Sequence, residues 1–293
     1  MNLNYTPAFR INRYTFRVKR SAILPYVFSI IFLFSGKSFA QQGANDVAPV
    51  IDTGYYTSFD NTKIYFEKRG SGDPVLLLHG FMGNSSGWKR GDLYKQLLDQ
   101  GFEVILIDLR GNGRSDHPHR EEAFANDAEC RDIMGLMDFL KIKSYDLIGY
   151  SRGSIIAARV LRNDPRVHKA VIGGMGAAFT DTSWKLPKAL YESLIHSPAP
   201  EFEGMKSYVR KQKLDSVSLA YMQKQQPFTS PEDLGKIKQP VLLIRGDVDS
   251  TNGSTPALQA LIPHSIYITV PGNHNETSGT KPFADQVIAF LKQ

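Results

Sequence analysis

Short apolar runs alternate with amphipathic stretches along this chain. That pattern predicts an α/β fold: a mostly parallel central sheet, helices on both faces, and a small helical cap inserted late. Three observations carry the prediction. Val75–Leu78, Val104–Ile107 and Val241–Ile244 are continuously apolar, as parallel strands buried on both faces are. Between such runs lie helical patterns. In Asp127–Leu140, for example, Ile133, Leu136, Met137 and Leu140 fall on one face. Finally, His79-Gly80, Ser151, Asp249 and His274 all stand just after an apolar run. Open α/β sheets place their chemistry at those carboxyl ends.

The first forty residues read as a targeting segment. A basic stretch ends at Lys19-Arg20, an apolar stretch covers Ala22 to Phe34, and Ser38-Phe39-Ala40 offers small residues for cleavage before Gln41. The apolar stretch is too short for a comfortable span, so no membrane span is expected in the mature chain. The expectation is a periplasmic or secreted protein; the alternative is a membrane anchor formed by an uncleaved leader. Six of the 35 basic residues and none of the 29 acidic ones lie in this segment, leaving 29 of each. The net charge of +6 therefore belongs to the leader, and it supports no nucleic-acid partner. Cys130 is the one cysteine. It cannot form an intramolecular disulfide, and no Cys/His metal framework exists.

Residues 41–50 read as a polar linker. Tyr55–Ser58 and Lys63–Glu67 flank Asp60-Asn61 and suggest an edge hairpin. Two buried strands follow, Val75–Leu78 and Val104–Ile107, with a helix through Leu93, Leu97 and Leu98 between them. Gly111-Asn112-Gly113 follows a strand, but it lacks a third glycine and meets Pro118 rather than a helix. It is not a dinucleotide fingerprint. Ala170–Gly173 is a further strand. Residues 179–238 then read as a helical lid, with helices over Leu190–Ile195 and Met205–Met222. The core, begun at 51–178, resumes at 239–293 with Val241–Ile244, a last strand Ser265–Val270, and a helix carrying Phe283, Val287, Phe290 and Leu291.

The pattern Gly-x-Ser-x-Gly occurs twice. At Gly149-Tyr150-Ser151-Arg152-Gly153 an apolar run precedes it and a helical pattern follows; at Gly83-Asn84-Ser85-Ser86-Gly87 a loop precedes and a polar turn follows. A strand–turn–helix context pushes a serine hydroxyl out of the fold, so Ser151 is the candidate nucleophile and Ser85 a loop serine. Arg152, beside it, has two readings: a cation near the site that favours an anionic substrate, or, the preferred one, a side chain turned away and satisfied by carboxylates behind the turn.

With these residues in view, the chain resembles the α/β-hydrolase fold superfamily from about Thr57 onward. The resemblance rests on Gly149–Gly153, His79-Gly80-Phe81, Asp108–Ser115, Gly246-Asp247-Val248-Asp249 and the late His274. It implies Ser151 as nucleophile, His274 as general base and Asp249 as the acid that orients it, in the order Ser, Asp, His. The family's acid stands three residues after the turn glycine, which selects Asp249 over Asp247. The backbone N–H groups of Phe81 and Arg152 would form the oxyanion hole, and His79 would order the oxyanion loop. No metal or organic cofactor is implied. Serine at 151 departs from the aspartate nucleophile of the family's dehalogenases and epoxide hydrolases.

Tyr150, Phe179, Trp184 and Tyr221 are candidates for the pocket wall. The expected activity is hydrolysis of a small-molecule ester or related acyl compound. Carbon–carbon bond hydrolase, lactonase, amidase and perhydrolase are alternatives on the same residues. A ligand receptor with little turnover is the alternative of another class.

Overall fold

The computed structural model describes residues 52–196 and 199–293. The expected leader (1–40) and linker (41–50) lie outside the described residues. From Asp52 the chain forms an eight-stranded sheet of order β1-β2-β4-β3-β5-β6-β7-β8. Strand β1 (Asp52–Thr57) pairs antiparallel with β2 (Lys63–Arg69), and β2 pairs antiparallel with β4. The other pairings, among β3 (Pro74–Leu78), β4 (Glu103–Ile107), β5 (Tyr145–Tyr150), β6 (Val167–Gly173), β7 (Val241–Gly246) and β8 (Ser265–Val270), are parallel. The antiparallel hairpin lies at the edge, where no crossover helix is needed.

Alternation along the central strands divides the core into two layers. Leu76, Leu78, Ile105, Ile107 and Leu147 face one side, packing with Ile133 and Leu136 of α3 (Ala128–Phe139) and Ile155, Ile156 and Val160 of α4 (Arg152–Asn163). Val75, Leu77, Val104, Leu106 and Ile148 face the other. There Trp88 of the short α1 (Ser85–Lys89), Leu93 and Leu97 of α2 (Asp92–Asp99), and Phe283 and Val287 of the closing helix (Lys281–Leu291) cover them. The Thr280 side chain accepts the Phe283 N–H and so starts that last helix.

The cap differs from the sequence expectation in two ways. After α5 (Leu186–Ile195), the single helix expected over 205–222 is two: α6 (Glu203–Lys211) and α7 (Ser216–Lys224). Lys213 takes φ 54°, and Asp215 accepts the Ser218 N–H at 2.8 Å as a new N-cap. Second, the expected lid boundaries of 179 and 238 include residues that pack with the sheet. Phe179 joins the main core, as do Leu234 of α8 (Pro231–Leu234) and Ile237, while Leu194, Val209, Leu219 and Met222 form the cap's own cluster with Phe124. No helix among the described residues is long and apolar enough to cross a membrane.

Candidate active site

Strand β5 is buried to its end, and the chain then turns into α4 through a single residue, Ser151. Its φ of 55° and ψ of −123° are a conformation that side-chain-bearing residues rarely adopt. Neighbours hold it there. The Ser151 N–H donates to the Gly173 carbonyl at 2.8 Å, and the Ser154 hydroxyl lies 2.9 and 2.8 Å from the carbonyls of Gly149 and Gly173. A Cβ on Gly149 would overlap the Gly153 carbonyl, and one on Gly153 would overlap the Leu78 carbonyl. Both glycines are thus required by close backbone approach.

Ser151 Oγ stands 2.9 Å from His274 Nε2, and His274 Nδ1 stands 2.9 Å from Asp249 Oδ2. The loops after β7 and β8 deliver these two partners. Asp249 Oδ1 accepts from Thr251 twice, from its N–H at 2.9 Å and its hydroxyl at 2.7 Å. Burial alone would raise the Asp249 pKa; the hydrogen bonds from His274 and Thr251 outweigh it and hold the carboxyl below its ordinary range. With Asp249 ionised, the imidazole is oriented with Nδ1–H towards the carboxylate. That leaves Nε2 free to accept the serine proton. Asp247 is elsewhere: its Oδ1 accepts the Gly272 N–H at 3.0 Å and shapes the turn.

The loop beneath Phe81 is fastened by His79, which is buried. The Leu109 N–H donates to His79 Nε2 at 3.1 Å, so the ring donates from Nδ1 to the Gly80 carbonyl at 2.8 Å. Burial lowers the His79 pKa and keeps the ring neutral. Phe81 lines the cavity at Ser151. The Arg152 N–H opens α4 and has no intrahelical acceptor. Ser85 is in a different place altogether: it is buried, and its N–H donates to Asp108 Oδ1 at 2.6 Å.

The Arg152 side chain is buried and points away from Ser151 Oγ. It forms a two-pronged pair with Glu129, at 2.8 and 2.6 Å, and donates to the Met222 carbonyl of α7 at 2.9 Å.

A cavity of about 230 Å³ opens on Ser151 and His274, walled by Ile155, Met175, Trp184, Leu186 and Leu190 among others. Of the four aromatic candidates for this wall, Trp184 is there. Phe179 borders a neighbouring cavity instead. Tyr150 and Tyr221 line neither. The Tyr150 hydroxyl donates to the His274 carbonyl at 2.8 Å, and Tyr221 packs against Tyr191 with ring centres 6.5 Å apart. Both tyrosines are internal struts, because their strand and helix turn them into the structure. The sequence reading missed Thr251, Gln223 and Gln226. A hydroxyl two residues after the acid was the available signal for Thr251. Nothing in the sequence marked the two glutamines. Among the described residues, no group of three or more His, Cys, Asp or Glu side chains is placed to hold a metal ion.

A doubly layered parallel sheet with a serine on a strained strand-to-helix turn, followed in the chain by an acid and a histidine, defines one class of protein. The chain has the α/β-hydrolase fold. The family model for the alpha/beta hydrolase fold matches residues 73–192. The human serine hydrolase BPHL is 36% identical over 127 residues, 42% of this chain and 43% of that protein. An epoxide hydrolase of Caballeronia sordidicola is 31% identical over 132 residues, 44% of this chain and 40% of that protein. The chain spans about two fifths of the length of the curated relatives it matches. Among solved structures, an esterase from Exiguobacterium antarcticum superposes with a TM-score of 0.69 at 22% identity, over 83% of this chain and 100% of that one. That likeness is one of fold.

Proposed function

We propose that this chain is an exported serine hydrolase that cleaves a carboxylic ester or related acyl bond through an acyl-enzyme on Ser151. The observation that carries the proposal is the unbroken line from Ser151 Oγ through His274 to Asp249, with both spacings at 2.9 Å. A serine hydroxyl is a weak nucleophile until a base takes its proton. Here His274 Nε2 takes it as Oγ attacks the substrate carbonyl. The Asp249 carboxylate stabilises the imidazolium that results. The carbonyl oxygen, now negative, turns to the N–H groups of Phe81 and Arg152; losing one such donor typically costs about 10²–10³ in rate. The imidazolium then protonates the leaving alcohol. Water, deprotonated by the same nitrogen, attacks the acyl-enzyme and returns Ser151.

Serine at position 151 favours acyl transfer over opening of an epoxide by an aspartate. Carbon–carbon hydrolysis, lactone opening and perhydrolysis would run on the same residues, and no feature of the site favours them. The test is hydrolysis of p-nitrophenyl esters, acetate to long chains, by the protein starting at Gln41 and by its Ser151→Ala variant. We expect the variant to lose several orders of magnitude in kcat/KM. Equal rates in the two proteins would remove Ser151 from the mechanism. A folded wild type that turns over no ester would shift weight to the carbon–carbon or receptor readings.

A further inference from the structure

A second cavity, of about 380 Å³, lies beside the one at Ser151. Trp184, Gln223 and Gln226 line both, so these three side chains are the wall between them. The two compartments differ in chemistry. The inner one, at Ser151, is the smaller, and Ile155 of α4 with Leu186 and Leu190 of α5 gives it aliphatic walls. A dry apolar cavity of about 150 Å³ is enough for benzene, so the inner compartment suits a short acyl group or one ring. The outer compartment is aromatic, bordered by Phe179, Trp184, Tyr191 and Phe228. Its charges cancel: Asp181 and Glu192 stand against Lys188 and Lys224. Lys224 is already paired with Glu121 at 2.6 Å. Such a lining suits a neutral, flat group that stacks, rather than an ion. The wall itself is polar. Gln223 and Gln226 supply its amides.

From this we infer that the outer cavity is the leaving-group subsite, and that the preferred substrates are esters of a short acid with a neutral aromatic alcohol. The inference rests on the Ser151 reading. The acyl group occupies the inner compartment with its carbonyl carbon at Ser151 Oγ. The ester oxygen lies at the Trp184–Gln226 wall, and the aromatic ring lies among Phe179, Tyr191 and Phe228. When His274 protonates that oxygen, the alcohol is released as a neutral molecule. It then leaves through the outer cavity.

The test separates this inference from the nucleophile assignment. Phe228 borders only the outer cavity and is 41% exposed, so Phe228→Ala removes a ring from the subsite without opening the core. The first readout is binding of 1-naphthol to the Ser151→Ala protein and to the Ser151→Ala/Phe228→Ala protein, followed by calorimetry. It needs no turnover. We expect affinity to fall about tenfold with the ring, the scale of one lost aromatic contact with its buried area. The second readout is kcat/KM for 1-naphthyl acetate and for ethyl acetate in wild type and Phe228→Ala. We expect the aryl ester alone to suffer. Equal naphthol affinity in the two proteins, or an equal loss on both esters, would overturn the subsite even with the Ser151 chemistry intact. Naphthol binding that depends on Phe228 would support the subsite even if Ser151→Ala left hydrolysis unchanged.

Discussion

At Arg152 one residue serves two masters. Its N–H, at the start of α4, is the one proposed to meet the oxyanion, while its guanidinium is locked to Glu129 and to the Met222 carbonyl behind the turn. Removing one partner of a buried pair strands the other charge, typically at about 3–5 kcal/mol. We therefore expect Glu129→Ala to lose stability on that scale, seen as a lower urea midpoint. The proposed hydrolysis of p-nitrophenyl esters should fall with it, because the unpaired guanidinium drags the first turn of α4. An unfolding free energy within about 0.5 kcal/mol of wild type, the range of ordinary surface substitutions, would show that the pair is inessential. Residues of this kind were half legible. The Gly-x-Ser-x-Gly spacing marked the turn because backbone crowding restricts which residues fit there. Which way an aromatic points is set by neighbours that the local pattern does not contain. Tyr150 and Tyr221 were accordingly placed on the pocket wall by composition, and by structure they hold other residues in position.

At the scale of elements, the loop after β3 depends on a neutral histidine. His79 accepts from Leu109 through Nε2 and donates to Gly80 through Nδ1, an arrangement that a doubly protonated ring cannot keep. Its folded pKa is depressed by burial, from an ordinary 6.5. Between the folded and unfolded values the unfolded chain binds the extra proton, so stability rises with pH through that window. The contribution is complete above about pH 6.5 and is lost as the pH falls towards the folded value. Thermal melting from pH 7.5 down to 5 should show a falling Tm, and His79→Asn should flatten that slope while lowering Tm at neutral pH. An unchanged slope in the variant would mean other groups govern acid stability. Elements also show where sequence patterns run out. The central strands were readable because burial on both faces leaves no polar position. The expected 205–222 helix kept its apolar spacing straight through a break made by one left-handed residue, Lys213, and a fresh cap at Asp215.

At the scale of the whole molecule, the charge asymmetry of the chain sets an expectation for its processing. Residues 1–40, the proposed leader, carry the entire excess of six positive charges. A protein cut before Gln41 should therefore focus near neutral pH, far below the pI of about 9.2 of the full chain, and N-terminal sequencing of exported material should begin Gln-Gln-Gly. A basic full-length species in the membrane fraction would instead identify an anchor. The body has its own long-range arrangement. Ser151 comes from the chain before the cap; Asp249 and His274 come from the chain after it. What joins the two parts around the site is the pairing of β6 with β7, from Ala170 opposite Val241 to Gly173 opposite Ile244. Covalent continuity through the cap is then a matter of folding history rather than of upkeep. A chain nicked within the cap after folding keeps Ser151 and His274 on fragments that the sheet still clasps, and the same two fragments made separately carry the pairing edges needed to find each other.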